Sequence, residues 1–297
     1  MFITKKQNRK IDNFMPLILL IIASISILTS IGIVATLVVD ALHFFKEVSL
    51  AEVFSVELAP LNAKNPSFGF LPLLMGTFTT SVIALLVAAP VGLSSAIFLS
   101  EFVKPDTRKI LKPIIELLAG IPSIVYGFFA YNVVTPFMAH LIPDLGAKNV
   151  LSAGIVMGIM IIPIVTSLSE DAMSSVPNII REGAYGLGST KLETSFKVII
   201  PSAISGIVSS FVLAISRAIG ETMIVTIASG SSKRFTTSII EPMQTMTAYI
   251  VEFTSGDAGS GTTGYYSLYA VGLLLFIFTL AMNLLAKYIT KKYRRAY

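Results

Sequence analysis

PSAISGIVSSFVLAISRAIGETMIVTIAS, residues 201–229, is long and apolar enough to cross a bilayer, whose hydrocarbon core takes about 20 residues of helix. Its charged residues are Arg217 and Glu221, both well inside the run. Four residues apart at about 100° per residue, they project about 40° from one another and share one helical face. That face continues through the small residues Gly206, Ser210 and Ala228, while the other carries Val208, Val212, Ile215, Ile219 and Met223. The first suits a cavity or a partner helix, the second lipid or bulky packing. A charge near mid-span costs about 2.5–3.5 kcal/mol on insertion scales, so the pair requires either mutual neutralisation or a purpose. Arg before Glu is the less favourable order along a helix. The pair is therefore read as marking the path of an anionic solute, with a purely structural pair as the alternative.

The remainder of the chain has the same character. Of 297 residues, 54% are hydrophobic and 13% charged, far outside the averages of soluble domains. Six segments qualify as spans, at roughly 14–41, 72–100, 110–137, 150–170, 201–229 and 266–288, which predicts an all-α integral membrane protein. Basic residues before the first run imitate a signal peptide, but the apolar stretch is too long and lacks a small-residue cleavage site, so it reads as a retained span. Lys5, Lys6, Arg9, Lys10, Lys104, Arg108, Lys109, Lys112, Arg181, Lys191, Lys197, Lys287, Lys291, Lys292, Arg294 and Arg295 fall on one side, against Lys46, Lys64, Lys148, Lys233 and Arg234 on the other. The positive-inside rule then places both termini in the cytoplasm. The net charge of +5 is explained by these loops better than by a nucleic-acid surface.

The chain has no Cys, which excludes disulfides, thiolate metal sites and a catalytic thiol. His43 and His140 lie near the ends of different apolar runs without metal-ligand spacing and read as interfacial side chains, so no metal site and no cofactor is expected. With no Trp, an aromatic belt falls to Tyr265, Tyr266, Tyr269 and Tyr288. Gly76, Pro90, Gly92, Gly120, Pro122 and Pro163 sit inside spans, where kinks and close contacts are tolerated. Gly154 and Gly158 form a small-xxx-small face that favours close helix approach. Glu116 is a second candidate for the solute path, although its place four residues after Lys112 favours snorkelling to the interface. Glu170 and Asp171 read as ordinary charges at the end of the fourth span.

The loop near residues 171–200 is compact. Asn178 is positioned to cap a helix with Ile179, Ile180, Ala184 and Leu187 as an apolar stripe and Gly186 and Gly188 at its end, and a second segment starts at Lys191 with Leu192, Phe196 and Ile199 before Pro201 opens the next span. Two short helices around a Gly turn make a knob suited to docking a partner. GAYGLGST within it is neither G-x-G-x-x-G nor a Walker A, and Gly259 to Gly264 is followed by Tyr265 rather than Lys, so no nucleotide site is expected in this chain.

Glu182-Gly183-Ala184, Gly188 and Ile200-Pro201 resemble the EAA motif of type I ABC importer permeases, with Gly183 in place of the first Ala. IIELLAGIPSIVYGFF (114–129), LSAGIVMGIMIIPIVTSLSEDAM (151–173) and SRAIGETM (216–223) are similar to the phosphate importer permeases, the ending ETM closer to the PstC type than to PstA. The resemblance covers about residues 70 to 230. It implies the MetI-like fold with six transmembrane helices and a multi-pass place in a bacterial or archaeal cytoplasmic membrane. It also implies as partners a PstA-like second permease, a dimeric PstB-like ATPase and an extracytoplasmic PstS-like phosphate-binding protein. By position, Glu182, Gly183, Ala184 and Gly188 fall in the coupling helix that enters the ATPase, and Arg217 and Glu221 match the family's intramembrane charges.

Residues 1–70 are then tail, first span and outer loop, 71–290 the permease core with coupling loop 171–200, and 291–297 a basic tail. The expected function is ATP-driven import of inorganic phosphate, with hydrolysis in a separate subunit and no enzymatic activity in this chain. Sulfate and molybdate fit an arginine equally well. An ion-coupled secondary transporter predicts repeat-related broken helices and carboxylates in several spans. A non-transporting scaffold leaves the buried pair unexplained.

Overall fold

The computed structural model describes residues 5–293 apart from 63, 258 and 260, with side chains described from residue 14 to 292 except at those positions and 257. The side chains of Lys5, Lys6, Arg9 and Lys10, and Arg294 and Arg295 of the 291–297 tail, lie outside these limits. Helices long and apolar enough to span a membrane run over Phe14–Glu47, Leu71–Phe102, Ser123–Leu141, Val150–Ser174, Lys191–Ile219 and Thr263–Lys292.

α1 (Lys5–Glu47) keeps its apolar side chains from Phe14 to Ile33 largely exposed, as expected of a helix facing lipid or another subunit, and buries Ala41 and Phe44 near its end. The short α2 (Leu50–Val53) and a two-stranded antiparallel hairpin, β1 (Leu58–Ala59) with β2 (Ser67–Phe68), follow. At this hairpin end an aromatic cluster of Phe44, Phe68, Phe70, Tyr249 and Phe253 closes the bundle. Tyr249 Oη lies 2.6 Å from Ser267 Oγ, so the one polar atom of that ring is satisfied inside the cluster.

The second span is α3 (Leu71–Ile97) with a π turn at Phe98–Phe102, and the fourth is α7 (Val150–Ser174), which runs through the core. The α3–α7 seam is built on absent side chains. A Cβ on Gly154 would sit 2.6 Å from Ile83 Cγ2, one on Gly158 would sit 2.8 Å from the Ala84 carbonyl oxygen, and one on Gly92 would meet Val165 at 2.8 Å. The small-xxx-small face thus does what its spacing implies. Thr166 Oγ1 donates across the same seam to the Gly92 carbonyl at 3.2 Å.

Two spans depart from the hydropathy reading. The apolar run 110–137 is not one helix: α4 (Pro105–Ala119) is a separate helix with no buried residue, and the span begins only at α5 (Ser123–Phe129), continuing through a π turn at Ala130–Val134 into α6 (Thr135–Leu141). Pro122 breaks the ladder because it has no N–H and pushes its neighbour out of the α region. Lys112, Pro113 and Glu116 give α4 an amphipathic rather than a membrane-crossing face.

The fifth span starts earlier than Pro201. α9 (Lys191–Thr194) runs through a π turn at Ser195–Ile199 directly into α10 (Ile200–Ile219), since Pro201 occupies the first turn of α10, where its missing N–H costs nothing. The knob therefore has one free helix, α8 (Asn178–Gly186), and a second that is the root of the fifth span. Pro177, not Asn178, holds the cap position of α8, and Asn178 Oδ1 instead accepts from Arg181 Nη1 at 3.3 Å. Gly188 adopts φ +86°, a left-handed turn that ordinary side chains avoid, and Thr190 and Glu193 form a capping box that starts α9. α11 (Met246–Glu252) dips into the hairpin end before α12 (Thr263–Tyr293) completes the bundle.

Candidate functional site

α10 ends two residues beyond Arg217. Gly220 caps it, Glu221 and Thr222 leave the helix, and one turn resumes at Met223 before a π segment over Val225–Ser229. Arg217 and Glu221 therefore do not share a continuous helical face, which corrects the pairing drawn from their spacing. Glu221 is nearly buried, and its Oε1 accepts the N–H of Met223 at 3.0 Å and of Ile224 at 3.4 Å. Its own carbonyl accepts Thr247 Oγ1 at 2.7 Å. The carboxylate thus satisfies backbone donors orphaned by the break, as a helix cap does, rather than a guanidinium.

Arg217 is exposed, one turn beyond the exposed Leu213, and makes no ion pair or side-chain hydrogen bond among the described residues. Its neighbours Ala214 and Ala218 are buried, so it stands at the edge of the face that α10 turns into the bundle. Of the small residues associated with it, Ser210 and Ala228 are packing residues, while Gly206 borders a cavity with Ala172, Ser175, Ser202 and Ser205. Ser210 and Ala228 are buried, Ser210 Oγ lies 2.6 Å from Ser169 Oγ, and Gly206 lies against Ala172. On the opposite face Ile219 is buried and Met223 exposed, so the division into a lipid side and a cavity side does not hold along the helix.

Glu116 is exposed on α4 and accepts Ser167 Oγ of α7 at 2.6 Å. No hydrogen bond or ion pair joins it to Arg217 or Glu221 among the described residues.

The charges read as ordinary at the end of the fourth span are not ordinary. Glu170 is 0% exposed and is held by Arg108, by Lys112 Nζ at 2.9 Å and by Ser174 Oγ at 2.8 Å, while Asp171 also accepts from Lys112. Burial pulls down the pKa of Lys112, but its hydrogen bonds to Asp171 and Glu170 outweigh this and raise it above its ordinary value. The i, i+4 spacing of Arg108 and Lys112, which sets both on one face of α4, was the available sequence signal.

In the knob, Glu182 and Gly183 are exposed and Ala184 is buried. The apolar stripe divides: Ala184 and Ile180 pack inward, whereas Ile179 is 76% and Leu187 90% exposed. Arg181 turns inward as well. It donates to both carboxylate oxygens of the nearly buried Glu101, at 3.3 and 3.0 Å, and to the carbonyls of Met173 at 2.8 Å and Val176 at 2.5 Å.

A bundle arranged around a buried fourth helix, with a broken fifth span and a short helix presented beyond the membrane-crossing segments, is the architecture of an ABC importer permease. It matches an importer of the acidic polysaccharide alginate with a TM-score of 0.66 at 14% identity, covering 98% of this chain and 100% of that one. It matches the MetNI methionine transporter in an inward-facing form with a TM-score of 0.58 at 16% identity, over 76% of this chain and 95% of that one. The chain belongs to the family of binding-protein-dependent transport system inner membrane components, whose model matches residues 88–295. It is 34% identical to the probable ABC transporter permease protein YqgH of Bacillus subtilis over 98% of this chain and 94% of that protein. It is 38% identical to the phosphate transport system permease protein PstC of Mesorhizobium japonicum over 76% of this chain and 75% of that one.

Proposed function

We propose that this chain is the permease through which an ATP-driven importer carries inorganic phosphate, with Arg217 in the path of the anion. The observation that carries the reading is an arginine with no partner among the described residues, in the last turn of a membrane helix and beside a break. Such a charge is too costly to face lipid, so the face it occupies calls for water, an anion or a second permease. A guanidinium with several donors holds a phosphate briefly without a metal. Glu221, engaged with backbone N–H groups, serves to hold the break open beside Arg217 rather than to neutralise it. The PstC relatives support phosphate as the cargo.

In this reading the protein sits in the cytoplasmic membrane with both termini and α8 on the cytoplasmic side. A PstA-like permease covers the Arg217 face, a PstB-like ATPase dimer binds α8, and a PstS-like protein delivers phosphate from outside. Residues 1–70, the core 71–290 with its loop 171–200 and the tail 291–297 keep the roles assigned from sequence. Glu182, Gly183, Ala184 and Gly188 shape the coupling helix, and the exposed Ile179 and Leu187 form its docking face. Glu116 stands apart from the anion path and orients α4 through Ser167.

The test is ATP-dependent uptake of radiolabelled phosphate by the reconstituted complex, with sulfate and molybdate as competitors. Arg217→Gln is expected to abolish uptake while the complex still assembles. Unchanged uptake would remove Arg217 from the path, and competition by sulfate or molybdate equal to that by unlabelled phosphate would reassign the cargo.

A further inference from the structure

The charges around α8 and α4, among which the side chains of Glu101 and Glu170 are buried, share no hydrogen bond or ion pair with Arg217 among the described residues, yet they form one continuous set. It begins on the knob, where Arg181 of α8 grips Glu101 at the end of the second span. Ser100 donates to Glu101 Oε1 at 2.8 Å, and its hydroxyl lies 3.5 Å from that of Ser174. Ser174 donates to Glu170, and Glu170 holds Arg108 and Lys112 of α4. The set therefore starts at the helix that presents Ile179 and Leu187 and ends at a helix that buries none of its own residues.

What α4 does next gives the set its significance. With no buried residue, α4 is fastened to the bundle by polar contacts: Arg108 and Lys112 to Glu170 and Asp171, and Glu116 to Ser167. Its far end joins the third span across the Gly120–Pro122 break, where Tyr126 Oη donates to the Leu118 carbonyl at 2.7 Å. One residue on, Gly127 packs against the segment that follows Glu221. A Cβ there would stand 3.1 Å from the Met223 carbonyl oxygen and 3.3 Å from Ile224 Cα. α4 is thus joined through α5 to the backbone whose N–H groups Glu221 caps, next to Arg217.

We propose that Arg181, Glu101, Glu170 and Lys112 are positioning residues that transmit movement of α8 to α4, and through α5 to the break beside Arg217. Buried ion pairs suit this task because their geometry is narrow. Breaking one leaves an uncompensated charge in the interior, so the joined helices move together rather than slide. Apolar contacts alone between α8 and the bundle would permit small slips, as van der Waals packing has little directionality. The inference rests on the ATP-driven reading above but not on the identity of the cargo.

The chain has no Cys, so paired labels can be introduced cleanly in the complete complex with its ATPase. Leu117, Tyr185 and Leu284 are exposed on α4, on α8 and on α12. Spin labels at Leu117→Cys with Leu284→Cys report α4, and labels at Tyr185→Cys with Leu284→Cys report the knob. Trapping the ATPase with ATP and vanadate is expected to shift both distances by on the order of a few Å, the scale of helix movements in such transitions. In Glu101→Gln the knob pair still shifts and the α4 pair does not. Glu170→Gln, at the other end of the set, is expected to give the same split and serves if Glu101→Gln fails to assemble. A full α4 shift in either variant overturns the proposal, as does loss of both shifts together in an assembled complex. Neither distance depends on which anion is carried, so a failure of the phosphate assignment is seen in uptake alone.

Discussion

Gly158 offers a sharp test of the packing argument, because its surroundings are backbone on one side and a β-branched side chain on the other. A Cβ at this position would lie 2.8 Å from the Ala84 carbonyl oxygen, 2.7 Å from Val87 Cβ and 3.0 Å from Val87 Cγ1. Ordinary contact begins at 3.4 Å, and a helix carbonyl cannot rotate away, so α3 and α7 must separate by several tenths of an ångström along a seam also locked at Gly154 and Gly92. Overpacking of this kind costs about 1–3 kcal/mol. Ala regains roughly 1 kcal/mol over Gly in helix propensity. Gly158→Ala is thus expected to destabilise by about 1 kcal/mol net, and Gly158→Val by more, since it adds bulk without the propensity of Ala. Gly183 is the control: nothing lies within 4 Å of its Cβ position, so Gly183→Ala is expected to be neutral or stabilising by up to about 1 kcal/mol. The assay is the heating midpoint of the purified complex, read as the fraction remaining monodisperse. The expected order is Gly183→Ala at or above the parent, then Gly158→Ala, then Gly158→Val. A Gly158→Ala midpoint at or above that of the parent would refute the close-approach argument.

Thr190→Ala removes the capping box in which Thr190 Oγ1 accepts the Glu193 N–H at 3.3 Å, and it should cost about 0.5–2 kcal/mol locally. Hydrogen exchange should quicken at residues 190–194 and remain unchanged in the middle of α10. Lys112 supplies a pH prediction. Its folded pKa lies above the ordinary value of a lysine, so its ion pairs contribute fully below the unfolded pKa and are lost as pH rises through the folded one. The midpoint difference between the parent and Lys112→Met should therefore be flat between about pH 6 and 9 and should shrink only in more alkaline solution. A slope inside that window would show that Lys112 is not held by Glu170 and Asp171 as described.

Four spans were legible because hydropathy needs only composition over a window, and α1, α3, α7 and α12 contain no internal break that composition conceals. Gly154 and Gly158 were legible for a similar reason: their spacing puts both on one face whatever helix they meet. The third and fifth spans were misread where a few backbone groups decide the outcome. At Pro122 the loss of one N–H outweighs the apolar residues on both sides. At Gly220 a helix that hydropathy would continue to Ser229 stops, because Glu221 and Thr247 supply better partners for the freed backbone groups. The pairing of Arg217 with Glu221 followed from an unbroken helix and failed with it.

What the amino-acid order determined by itself was the class: an apolar chain that must satisfy its backbone inside helices, with basic loops, a compact knob and one arginine that lipid does not tolerate. The tertiary structure decided which charges are bound and which are free. Glu170 and Glu101 find cations only because α4 folds onto the end of the fourth span and α8 onto the end of the second, each remote in sequence from the carboxylate it meets. Among the described residues Arg217 is left without a partner, and Glu221, four residues on, is taken by the backbone at a break. A charge's partner is a matter of a few ångströms in space, and sequence spacing reports that distance only within a single continuous helix.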